Sequence, residues 1–206
     1  MAKKARVYDG TAWQELASAQ TDLTAYSTTA QMNTAINTTS GLNLITSGSF
    51  SAATSFSLPT DTFTSTYKNY KLIAQVTAVT ADADFTARLR TSGTDNTSAV
   101  YAFAMPGYTY AGSASNSFGE SNSSFSFGES DAGIVRYFLN MDIIAPQLAT
   151  PTYLSGSYNF LNKAQTASVA RTGNMQFTTN VQFDSFSFIS SVASSITGTY
   201  SVYGYK

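Results

Sequence analysis

From residue 41 onward apolar residues recur at every second position, the period of a strand with one face turned to a core. In 70–78, Tyr70, Leu72, Ala74 and Val76 share one face; in 85–90, Phe85, Ala87 and Leu89 point inward while Arg88 and Arg90 point outward. Residues 81–84 join these runs as a turn. Over 134–144, Val135, Tyr137, Leu139, Met141 and Ile143 alternate with Arg136, Asn140 and Asp142, the pattern of a half-buried antiparallel strand. Pro146 ends it, lacking the N–H a ladder needs. Further strands are expected at 44–56, 99–105, 153–161 and 175–183. After Phe183 the aromatic parity slips to Phe186 and Phe188, which predicts a bulge or corner near Ser185. In the closing run 196–205, Tyr200 and Val202 share one face and Tyr203 and Tyr205 the other, so both faces are expected to be covered. About eight short strands with turn signals between them predict an all-β fold, an antiparallel β-sandwich of jelly-roll type.

The first forty residues are patterned differently. Two short runs flank Asp9-Gly10, a pair that favours a two-residue turn because both positions tolerate positive φ, so a small hairpin is expected within 1–20. Within 21–40, Thr28 and Gln31 have capping-box spacing, and Met32, Ala35 and Ile36 fall on one helical face, which predicts a short helix over 29–37 that Gly41 stops. A two-stranded hairpin is marginal in water, and an isolated helix shorter than about 12 residues does not recover its nucleation cost. Each must dock on the downstream domain, on sister copies or on another protein. The expected organisation is a docking hairpin (1–20), a helical oligomerisation or linker segment (21–40) and a β-sandwich head (41–206).

Composition narrows the chemistry. The 206 residues include no Cys and no His, which removes disulfides, thiolate nucleophiles, Ser-His-Asp and Cys-His catalysis and nearly all zinc, copper or haem sites. Charged residues make up 11% and the net charge is −1, so a nucleic-acid ligand has no electrostatic support. Ser and Thr supply roughly a quarter of the chain, well above ordinary usage, so polarity comes from hydroxyls instead of charges. The basic start, Met1 to Arg6, is not followed by an apolar stretch, and no run reaches the ~18 apolar residues of a membrane span. Folding in a cytoplasm, with no membrane insertion, is the expectation.

Between Gly107 and Gly133 lies a Gly/Ser-rich stretch with Ser-Phe-Gly-Glu-Ser twice, at 117–121 and 126–130. It reads as a long hairpin whose Phe residues cover the sandwich edge. Alternatively Tyr108, Tyr110, Phe118, Phe125 and Phe127 contact a surface ligand such as a glycan, because aromatics offer flat apolar faces at small entropic cost. Glu120, Glu129, Asp131 and Asp142 are candidate carboxylates for a glycosidase, but no spacing raises one pair above solvated loop acids. Asp82 and Asp84 have the alternate spacing of a calcium loop, yet a strand begins at Phe85 where further ligands would be needed. No phosphate-binding glycine motif occurs. A binding or structural role without cofactor or metal is expected, not an enzyme.

The segment Arg6-Val-Tyr-Asp-Gly-Thr-Ala-Trp13, followed by Asp22-Leu-Thr-Ala-Tyr-Ser-Thr-Thr-Ala-Gln-Met-Asn-Thr-Ala-Ile36, resembles the N-terminal segments of tail-fibre and related virion proteins of tailed bacteriophages. Residues 67–73, 87–96 and 198–205 are similar to the β-sandwich heads of such proteins. The resemblance implies a homotrimer on the virion, assembled in the host cytoplasm, that attaches to other virion proteins by its N-terminus and turns its head outward. Val7, Tyr8 and Trp13 would then dock, Leu23, Tyr26, Met32 and Ile36 would pack around the symmetry axis, and the head would meet a host surface glycan. A capsid decoration protein, and more distantly a carbohydrate-binding or carbohydrate-active protein, are the alternatives.

Overall fold

The alternating runs become strands in the computed structural model, which describes residues 6–8, 10–15, 41–130, 132, 137–161, 168–193 and 195–205. The chain divides into two compact units, Met1–Ser40 and Gly41–Lys206. In the first, β1 (Arg6–Tyr8) pairs antiparallel with β2 (Trp13–Glu15). The expected hairpin is present, but its ladder closes with Tyr8 opposite Trp13, so the reversal takes more than the two residues of an Asp-Gly turn. Gly10, at φ 100°, supplies the positive dihedral that such a reversal needs. The helix expected over 29–37 lies outside the described residues.

The second unit is all β among the described residues. Its first strands are β3 (Leu42–Ala53), β4 (Ser55–Ser57), β5 (Asn69–Val79), β6 (Ala83–Thr91), β7 (Thr94–Asp95), β8 (Tyr101–Met105) and β9 (Gly107–Thr109). There follow β10 (Ser117–Asn122), β11 (Phe125–Ser130), β12 (Tyr137–Ile144), β13 (Thr152–Leu161), β14 (Ser168–Phe177), β15 (Ser185–Ser190) and β16 (Ile196–Tyr205). A nine-stranded sheet runs β10-β8-β14-β13-β12-β5-β16-β3, with β9 beside β14; a five-stranded sheet runs β11-β6-β15-β4, with β7 beside β6. Every strand pair is antiparallel, and the two sheets face each other as a sandwich.

Both ends of the sandwich are bridged by the chain itself. At one end β3, the edge of the large sheet, passes through Thr54 into β4, the edge of the small sheet, after Ala52 turns at φ 44°. At the other, β10 passes through Ser123 and Ser124 into β11. Residues 107–130 are therefore not one long hairpin: β10 and β11 belong to different sheets. The run expected at 44–56 divides at the same kind of corner, into β3 and β4. The run expected at 175–183 also divides: residues up to Phe177 complete β14 in the large sheet, Phe183 lies in a connection, and β15 starts the return through the small sheet at Ser185. The parity slip seen in the sequence marks a change of sheet.

Aromatic rings join the layers in a consistent way. Five ring pairs crossing from sheet to sheet match a Phe of the small sheet with a Tyr of the large one: Phe56–Tyr200 at 5.2 Å, Phe85–Tyr137 at 5.0 Å, Phe125–Tyr101 at 4.7 Å, Phe127–Tyr158 at 5.4 Å and Phe188–Tyr137 at 5.6 Å; Phe50 of β3 stacks on Phe56 of β4 at 4.8 Å as a Phe–Phe pair. A buried phenol needs a hydrogen-bond partner, and its extra length reaches the opposite layer. Tyr101 accepts from the Leu89 amide at 3.2 Å and donates to the Asn96 carbonyl at 2.8 Å. Tyr137 donates to the Phe127 carbonyl at 3.0 Å. Edge-to-face and offset geometries of this kind add about 0.5–1.5 kcal/mol per pair beyond area burial.

The alternations read in 70–78 and 85–90 hold, as does the part of 134–144 that is described: Tyr70, Leu72, Ala74, Val76, Phe85, Ala87, Leu89, Leu139, Met141 and Ile143 are all buried, while Ile134, Val135 and Arg136 lie outside the described residues. Arg88 and Arg90 lie on the outer face, where Arg90 Nε approaches Asp95 Oδ1 at 2.8 Å as an ion pair without hydrogen-bond alignment. β16 is an interior strand between β5 and β3; Val202 is buried on the core side, while Tyr203 and Tyr205 on the other side are only partly buried, so that face is not fully covered as expected.

Candidate functional site

In β14 the inward positions run Val169, Arg171, Gly173, Met175 and Phe177, so one guanidinium falls in the phase of the core. A cation there must be held by several partners. Arg171 Nε donates to the Ser115 carbonyl at 3.1 Å, Nη2 to the Ser115 hydroxyl at 3.1 Å and Nη1 to the Tyr158 hydroxyl at 3.3 Å. Its Cζ lies 5.0 Å from the Phe160 ring centroid, within cation–π range. The segment carrying Ser115 is anchored in turn: the Ser115 amide donates to the Gly107 carbonyl at 2.8 Å, and the Gly107 amide donates to Asn116 Oδ1 at 3.1 Å. Gly128, at φ +89°, leaves the space the guanidinium needs, since a Cβ there would sit 2.8 Å from Arg171 Nη1.

Arg171 borders a concave site of about 450 Å³, whose other polar lining includes Asp84, Thr109, Ser115, Asn116, Ser117 and Ser126. Among the described residues no carboxylate is paired with Arg171. Burial pushes the Tyr158 phenol above its ordinary value, and the hydrogen bond and charge of Arg171 oppose that shift. Chemically, the site offers one fixed cation, neutral hydroxyls and amides, and an exposed carboxylate at Asp84. The strand expected from Met175 leaves Arg171 outside, and only a β14 that begins at Ser168 puts this Arg in the inward phase.

The residues singled out in the sequence are dispersed. Tyr108, Tyr110 and Phe118 are exposed at 64%, 75% and 65% and remain available to a ligand. Phe125 and Phe127 are fully buried and belong to the core; the β11 alternation turns both rings inward, so they cannot serve as surface contacts. Tyr8 is half exposed, while the side chains of Val7 and Trp13 are outside the described set. Leu23, Tyr26, Met32 and Ile36 lie outside the described residues.

The candidate acids do not assemble. Asp142 is on the outer face, 3.1 Å from Lys71 Nζ and hydrogen-bonded by the Tyr205 hydroxyl. Glu120 lies on edge strand β10, Asp131 is outside the described residues, and Glu129 is the ladder partner of Asp84, with its side chain not described. Asp82 Oδ1 accepts from the Ala132 amide at 3.0 Å. Among the described residues no group of three potential metal-binding acids forms. No family model, curated protein or solved structure matches the chain.

Proposed function

We propose that the chain is a non-enzymatic structural protein of a tailed-phage virion, a trimeric tail appendage or short fibre that attaches through residues 1–40 and presents the sandwich of 41–206. The observation that carries this reading is the division into an N-terminal unit with a three-residue-per-strand hairpin and a self-contained sandwich. A ladder that short gains its stability from a partner. The resemblance of its Val-Tyr-Asp-Gly-Thr-Ala-Trp run to phage attachment segments supports the virion as that partner. The twelve-residue edge strand β3 has neither Lys nor Pro to blunt it and exposes Leu44, which suits association with another chain. In the presented head, Tyr108, Tyr110 and Phe118 are the aromatics open to a host surface.

A capsid decoration protein is the second reading. It is favoured by hydroxyls on the outer face of the large sheet, Ser155 and Ser157 on β13 and Thr199, Ser201, Ser47 and Ser49 on β16 and β3, which can hydrogen-bond to a protein lattice. Antibody labelling of purified particles in negative stain separates the two: label at the tail supports the appendage, and label over the capsid supports decoration. Light scattering of the intact chain tests the trimer, which Ile36→Asp is expected to weaken; a monomeric unmodified protein would overturn it.

A further inference from the structure

We infer that the Arg171 pocket binds a sugar acid, a saccharide unit bearing a single carboxylate. Three of the five guanidinium N–H groups are committed to Ser115 and Tyr158, which leaves one on each of Nη1 and Nη2, the pair that grips a carboxylate as a fork. The fork is preorganised by those bonds and by Phe160 beneath it, so little ordering is needed when a ligand arrives.

The rest of the lining selects among anions. Thr109, Asn116, Ser117 and Ser126 are neutral donors and acceptors, which match a ring of hydroxyls better than a second charge. Asp84 repels a multiply charged phosphate but accepts from a sugar hydroxyl. Among the described lining residues the two charges cancel, so a monoanion with several O–H donors fits both ends of the site. A volume of about 450 Å³ is within the range of small-ligand pockets and holds one or two sugar rings. Tyr108 is not part of this site: it pairs with Ala170 on the opposite face of the sheet.

The inference does not require a virion location, and it is tested on the isolated intact protein, so the two fail separately. Calorimetric titration is run with glucuronate and N-acetylneuraminate, and with glucose, acetate and inorganic phosphate as controls. Saturable binding of a sugar acid is expected, with glucose and phosphate each weaker by about tenfold or more. Arg171→Lys keeps the charge, removes the fork and should weaken the sugar acid by about tenfold. Asp84→Asn, at an exposed position, should weaken the sugar acid while strengthening acetate, and it decides the matter if Arg171→Lys does not fold. The proposal is overturned if neither sugar acid binds the folded protein, if phosphate binds as tightly, or if sugar-acid affinity is unchanged in Asp84→Asn and in any folded Arg171→Lys.

Discussion

The Tyr137 hydroxyl donates to the Phe127 carbonyl at 3.0 Å, across the sandwich from β12 to β11. It does so where the β11–β6 ladder shifts register between Ser126 and Gly128, leaving Phe127 without a ladder partner on β6. A bulge of this kind leaves a backbone group unpaired, and burial of that group without a partner is costly. Tyr137→Phe keeps the ring and removes the donor, so it should lower unfolding stability by about 1–3 kcal/mol. A urea midpoint that falls with an unchanged slope is the expected result.

Phe118 and Phe127 hold the same place in the two Ser-Phe-Gly-Glu-Ser copies, yet Phe118 is 65% exposed and Phe127 wholly buried. Phe127→Ala should cost about 3–5 kcal/mol, through lost burial and the cavity left between Tyr158 and Phe188. Phe118→Ala should stay within about 0.5 kcal/mol. Chemical denaturation of the two variants side by side checks the contrast.

Gly128 combines a φ of +89° with a Cβ position 2.8 Å from Arg171 Nη1. Gly128→Ala should therefore destabilise the sandwich by about 1–3 kcal/mol through backbone strain. It should also displace the guanidinium, seen as a shift of the Arg171 side-chain resonances.

Tyr205 ties the last strand to β12: its hydroxyl and Lys71 both meet Asp142. Tyr205→Phe should cost up to about 1.5 kcal/mol, because the cluster is partly exposed and water screens it. Thermal unfolding of the variant against the unmodified protein measures it.

Alkaline pH should unfold the protein through its phenols. Burial is the leading cause that raises Tyr101, Tyr137 and Tyr158 above 10.0, and burial followed by the Asp142 contact pushes Tyr205 up to about 12. Between the unfolded and folded values the unfolded chain has released protons that the folded chain still holds, so stability falls as pH rises. Their contribution is fully present below pH 10.0, and that of Tyr205 is lost by about pH 12. Denaturant midpoints across that window should decline, with phenolate absorbance of the newly exposed tyrosines growing in step with unfolding.

The strands at 70–78, 85–90 and 137–144 were legible because each buries one face, and burial of one face writes a period of two into the sequence whatever the neighbours are. For Phe125 and Phe127 the sequence leaves both packing on the sandwich and surface contact open, because a Gly/Ser-rich context resembles a loop. Only the pairing of β11 with β6 turns their rings inward. Arg171 was invisible for a related reason: its partners Ser115 and Tyr158 are 56 and 13 residues away and come together through the β9–β14–β13 register.

By itself the sequence determined that this is a β protein, which residues of its clearest strands face inward, and that without Cys or His its site chemistry rests on hydroxyls, amides and a few charges. Those properties are local, set by side-chain type and alternation. The tertiary structure decided which of two identical pentapeptides is core, where the chain changes sheet, and that one arginine on the inward phase of β14 stands beside a polar pocket. Each of these depends on pairing between distant segments, and the energy of a ring or a charge is set by what that pairing places against it.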